Sequence, residues 1–153
     1  MIVLAIDPGT SCGWAIRYEN GAMDAGTWDL SSRRHEGGGM RFVRLRSHLA
    51  NLIEAAGPTL IAYEEVCAHR GTDAGHIYGG IIAVISEECE ARKIPYQGIP
   101  VGTVKKHATG KGNADKVAMV KAANARWGLS LDLSDNNEAD ARWIAETAIA
   151  GLR

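Results

Sequence analysis

Apolar and polar positions along the chain alternate between short continuous hydrophobic runs and longer amphipathic stretches. Ile2-Val3-Leu4-Ala5-Ile6 has the branched, unbroken pattern of a strand covered on both faces, and it runs directly into Asp7. Pro8-Gly9 then turns the chain. Two further runs, around Gly13 to Tyr18 and Ala22 to Leu30, are divided by Glu19-Asn20-Gly21, whose Asn-Gly pair signals a hairpin. Three antiparallel strands are expected. From Met40 to Ala56 the residues Phe42, Val43, Leu45, Leu49, Leu52 and Ile53 recur at helical spacing, and Gly57-Pro58 supplies a stop.

Leu60-Ile61-Ala62-Tyr63 reads as a second buried strand, and it too ends in acids, Glu64 and Glu65. Residues from about Asp73 to Arg92 pattern as a helix with Ile77, Ile81, Val84, Ile85 and Cys89 on one side, weakened locally by Gly79-Gly80. Ile94 to Ile99 is expected to be a short strand despite Pro95. A Gly- and Lys-rich loop, a helix from about Asn113 to Trp127, an irregular link and a last helix from about Asn136 to Ala150 complete the chain. Strand runs first, then strands alternating with helices, imply a mixed α/β sheet with helices on its faces. If the first strand and the Leu60 strand lie side by side in parallel, joined by a right-handed crossover through the Met40 helix, Asp7 and Glu64 emerge at one edge.

A chain of 153 residues with 46% hydrophobic content suits a single domain, residues 1–153, with a proper core. Cys12, Cys67 and Cys89 form no CxxC pair, so neither a structural zinc site nor a disulfide framework is indicated, and a reducing, cytoplasmic setting is expected. No apolar stretch approaches membrane-spanning length, and the first run is too short for a secretory signal. The net charge of −1 argues mildly against a nucleic-acid binder. Its distribution matters more: basic residues gather at Arg33-Arg34 through Arg41, Arg44 and Arg46, and again from Lys105 through Lys121. The first group reads as solvated surface, the second as a candidate interface.

Asp140 shares a helical stripe with Ile144 and Ala148, so it faces the core. An isolated buried carboxylate is costly, and acids converging from separate elements repel one another. A divalent cation resolves both difficulties, and oxygen ligands with no His or Cys cluster point to magnesium or manganese. Structural alternatives exist for each acid. Asp7 could serve the Pro-Gly turn, Asp140 could pair with Arg142 or Arg126, and Asp135 with Glu138 has capping-box spacing. Of Glu64 and Glu65, one faces the site and the other the opposite side. Asn137, three residues before Asp140, shares its face as a possible neutral ligand.

"IDPGTSCGWAI", "AYEEV" and "NEADARWIAETA", with "VKKHATGKGNADK" between the last two, resemble the RuvC family of crossover-junction endonucleases within the ribonuclease H-like superfamily. The resemblance implies a five-stranded mixed sheet, three antiparallel strands then two parallel, flanked by helices on both faces. It further implies a divalent-metal nuclease with Asp7, Glu64 and Asp140 as catalytic and metal-binding acids. Two bound ions would activate water for in-line attack on a phosphodiester and stabilise the leaving oxygen. Family members place an acid or histidine where this chain has Asn137, so the fourth ligand is left open among Asn137, Asp135 and Glu138. The resemblance also implies a homodimer that nicks four-way DNA junctions symmetrically, a basic loop at Lys105, Lys106, Lys111 and Lys116, and DNA contacts from "CAHRGTDAGHIYGG", with Arg70, His69 and Tyr78 as candidates. Tyr78 as a helix-packing aromatic is the structural alternative, and Gly79 and Gly80 could serve close helix approach across a dimer.

Competing readings are a nuclease of the same fold that debranches flaps and forks, as in bacteriophages, and a non-catalytic DNA-binding module. A sugar-kinase-like ATPase would use "IDPGT" as a phosphate loop but needs a second domain, and Gly110-Lys111-Gly112 is no Walker motif, so no nucleotide cofactor is expected.

Overall fold

The computed structural model describes residues 1–152. Strands β1 (Val3–Asp7), β2 (Ser11–Arg17) and β3 (Met23–Asp29) come first, followed by α1 (Met40–Ala56), β4 (Leu60–Glu65), α2 (Thr72–Arg92) and β5 (Tyr96–Pro100). Helices α3 (Val101–Thr109), α4 (Lys116–Trp127) and α5 (Asn136–Gly151) complete the chain, with a 3₁₀ turn at Leu133–Asp135 before α5. The five strands form one sheet in the order β3-β2-β1-β4-β5. The β1–β2 and β2–β3 pairs are antiparallel, and β1–β4 and β4–β5 are parallel. This is the expected mixed sheet.

Alternation along the central strands sorts the core into two layers. Leu4, Ile6 and Ile61 face α1 and α2, packing on Leu45, Leu49, Ile81 and Ile85. Val3, Ala5, Leu60 and Ala62 face the other layer, where Val104, Met119, Trp143, Ile144 and Ala148 come from α3, α4 and α5. The period of two continues to the strand ends, so Asp7 and Glu64 both belong to the α5 face. Gly57 ends α1 in the left-handed conformation at φ 60°, donating to the Ile53 carbonyl, as the Gly-Pro stop implies.

Four expectations need correction. Residues 101–109 are a helix rather than part of a Gly- and Lys-rich loop. Only Val104 of α3 is buried, so no apolar stripe marks it; its start abuts β5 directly and Gly110 ends it at φ 81°. Helix α4 begins after Asp115, whose carboxylate caps the Ala118 N–H at 2.8 Å, rather than near Asn113. Val43 is 57% exposed and sits off the core stripe of α1. Finally, the capping box pairs Asp132 with Asp135 around the 3₁₀ turn, while Glu138 turns away to Arg142.

Helix α2 runs unbroken through Gly79-Gly80. A Cβ on Gly80 would overlap the Phe42 ring of α1, so this glycine serves close approach of helices within the chain. Among the described residues no helix is long and apolar enough to cross a membrane, and all three cysteines are free.

Candidate active site

Parallel register places Ala5 beside Ala62 and Ile6 beside Tyr63, so Asp7 and Glu64 are the next neighbours where the two strands end. On the other side of β1, Asp7 pairs with Gly13 of β2. A methyl at Gly13 would overlap the Asn137 carbonyl at the start of α5, so the missing side chain lets α5 lie directly on the sheet. That contact brings Asp140, one turn into α5, over the Asp7–Glu64 edge. Glycine at position 13 and the small residues Ala139, Ala141 and Ala145 are thus part of how the acids meet.

Asp7 is buried, at 9% exposure, and neither it nor Glu64 accepts a hydrogen bond from any described side chain. Burial, then the nearby Glu64 and Asp140 carboxylates, push the Asp7 carboxyl well above its ordinary range, and Lys116 pulls it back only in part. Burial and Asp140 raise Glu64 to about 7 against the opposing pull of Lys105. Burial raises Asp140 to about 6, moderated by Lys105, Lys116 and the Asn136 amide. These mutual effects locate the three acids and two lysines in one electrostatic unit. The exposed neighbour Glu65 lies on the opposite strand face.

All three carboxylates offer hard oxygen donors, and Lys105, Lys116 and the Asn136 amide offset their crowded negative charge only in part, so the set suits a divalent cation. Among the described residues no three His, Cys, Asp or Glu side chains already stand at metal-holding spacing.

Each of the neighbours named as a further ligand also makes a contact within the protein. Asn137 donates from Nδ2 to Ser11 Oγ at 3.0 Å, and Asp135 accepts the Asp132 N–H at 3.0 Å. Glu138 accepts Arg142 at 2.8 Å, which also removes Arg142 as a partner for Asp140. The amide that leans on Asp140 is Asn136, four residues earlier, a spacing that sequence reasoning passed over in favour of three.

Lys105 projects from α3 and Lys116 from the first turn of α4, so the unforeseen α3 helix is what delivers one of the two site lysines. Lys106 lines an open cleft with Pro100, Gly102 and Thr103, while Lys111 is exposed in the turn after α3. Arg70 is exposed in the segment between β4 and α2. Tyr78 is partly buried, with its hydroxyl tied to backbone and its ring 4.6 Å from that of His69. A 390 Å³ cleft is lined by Pro8, Gly9, Thr10, Val66, His69 and Tyr78 among others.

No family model matches the chain. Its relatives include the crossover junction endodeoxyribonuclease RuvC of Caldicellulosiruptor saccharolyticus, 30% identical over 152 residues that cover 95% of this chain and 90% of that protein. The protein of the same name from Brachyspira hyodysenteriae is 29% identical, covering 97% of this chain and 94% of the relative. In fold, the chain superposes on Thermus thermophilus RuvC, solved in complex with a Holliday junction substrate, with a TM-score of 0.85 and 22% identity over 100% of this chain and 95% of that one. By sequence over nearly its whole length, the chain belongs to the RuvC family of crossover junction endodeoxyribonucleases.

Proposed function

We propose that this protein is a divalent-metal-dependent, structure-selective DNA endonuclease that resolves four-way junctions by paired nicks, acting as a homodimer in the cytoplasm with two magnesium or manganese ions per site. The observation that carries the proposal is the convergence of Asp7, Glu64 and Asp140 on the α5 face of the sheet edge, Asp7 buried and the other two half-buried, with Lys105 and Lys116 opposing their charge only in part. Family membership and the junction named in the substrate complex of the Thermus thermophilus neighbour support the choice of DNA structure.

Asp7, Glu64 and Asp140 would hold the ions, which supply an activated water and stabilise the leaving oxygen. The chain's own contribution is placement. Strands β1 and β4 fix two carboxylates on rigid neighbouring backbones, and α5 fixes the third through the Gly13 contact. Lys105 and Lys116 oppose the negative charge of the acids and would attract an approaching phosphodiester. Lys106, Lys111 and Arg70 are exposed and would offer further positive charge to a DNA backbone.

The test is incubation of the protein with labelled four-way junctions, flaps and linear duplex, in magnesium, in manganese and in chelator. Paired nicks confined to the junction and lost in chelator are expected. Equal cutting of flaps would redefine the protein as a general debranching nuclease, and no cutting of any substrate would leave a DNA-binding module.

A further inference from the structure

The odd-numbered residues of β4 turn their backbone groups toward β5, as the Ile61 N–H does onto the Pro95 carbonyl at 2.9 Å. Glu64 therefore turns its own N–H and C=O toward β1. In that register the residue placed to donate to the Glu64 carbonyl is Pro8, just past the end of β1, which has no N–H. The sheet thus lacks a donor at the residue that carries an active-site carboxylate.

Tyr78 of α2 fills the gap. Its hydroxyl donates to the Glu64 carbonyl at 3.0 Å and accepts the Val66 N–H at 3.0 Å. One oxygen so bridges the peptide groups on either side of Glu65, where β4 leaves the sheet. The ring is held by His69, 4.6 Å away between centroids, and lies in the wall of the cleft that Pro8 and Gly9 also line.

From this geometry we infer that Tyr78 is a positioning residue: its hydroxyl closes the ladder that Pro8 leaves open and fixes the Glu64 peptide, and with it the direction of the Glu64 carboxylate. The inference rests on the proposed nuclease function for its consequence, but the clamp can be tested separately. Tyr78 touches no reacting group in this role. Groups that orient a ligand's backbone typically change metal affinity or activity by about 10- to 100-fold when lost.

Tyr78→Phe keeps the ring and removes only the oxygen. The expected results are a roughly tenfold lower kcat on four-way junctions with KM for DNA unchanged, and a similar rise in the manganese concentration needed for half-maximal rate. A merely structural residue would not move the metal requirement. Independently of cleavage, hydrogen exchange at the Val66 amide should accelerate about tenfold or more, and calorimetry should show weaker manganese binding. Unchanged Val66 exchange, or unchanged manganese binding with faster exchange, would overturn the inference. Absence of cleavage by the unmodified protein would refute the proposed function, while exchange and calorimetry would still decide the clamp.

Discussion

Asp7 and Glu88 are equally buried acids, each 9% exposed, yet the fold treats them in opposite ways. Glu88, on α2, accepts Arg46 of α1 at 2.7 Å and Arg92 one turn later at 3.1 Å, so its charge is answered by two guanidinium groups. Asp7 has two other carboxylates as neighbours, and the lysine that opposes them does not reach it in a hydrogen bond among the described residues. A buried acid that serves the fold is given donors. One left unanswered, and set against its own kind, is held for something that arrives from outside.

Matched amide substitutions sharpen that contrast because they keep shape and remove charge. Asp7→Asn is expected to lower junction cleavage by roughly 10³-fold or more, since it removes a ligand from the reacting centre. The same substitution should raise the melting temperature of the metal-free protein by a few degrees, because it deletes an uncompensated buried charge. Junction binding should persist or tighten, as repulsion of phosphate falls. Glu88→Gln should do the reverse, lowering stability by about 1–2 kcal/mol through loss of its charged hydrogen bonds while leaving cleavage rates alone. Thermal melts and initial rates of both variants check the pair; a lower melting temperature for Asp7→Asn would make Asp7 a structural acid after all.

How much of this was legible beforehand differs between the same regions. The strand ends at Asp7 and Glu64 stood out because an apolar run that stops at an acid has few structural explanations, and parallel pairing then fixed their common edge. Asp140 was visible from the helical stripe it shares with Ile144. Helix α3 was not: nine residues with one buried side chain carry too little periodicity, and Gly102 and Thr103 disguised it as loop. Glu88 gave no warning either, since its partners lie 42 residues upstream and four downstream. Gly13 lies within the first motif, but the reason only glycine fits, the Asn137 carbonyl above it, is a tertiary contact that no local pattern encodes. The capping box failed for a related reason. Asp132 and Ser134 make a tighter turn that engages Asp135, and Glu138 pairs with Arg142 instead.

The smallest expected effect concerns pH. With Glu64 held near 7, Asp140 near 6 and Asp7 well above its ordinary value, the folded metal-free protein binds more protons than the unfolded chain between about pH 4.5 and 7. Stability changes with pH in proportion to protons bound by the unfolded minus the folded state, and that difference is negative here. These acids therefore stabilise the protonated fold at low pH, and the benefit is lost as pH rises through their folded values. His48 opposes the trend, because burial and then Arg44 lower its pKa, so the unfolded chain binds the extra proton in that region. Comparing the protein with Glu64→Gln cancels the histidine and isolates the carboxylate. Melting temperatures measured in chelator from pH 5 to 8 should fall more steeply for the unmodified protein than for the variant. A saturating divalent ion should abolish that difference in slope by holding the acids charged in the folded state. Parallel slopes in chelator would mean that Glu64 is already answered within the protein, and the contrast with Glu88 would collapse at that residue.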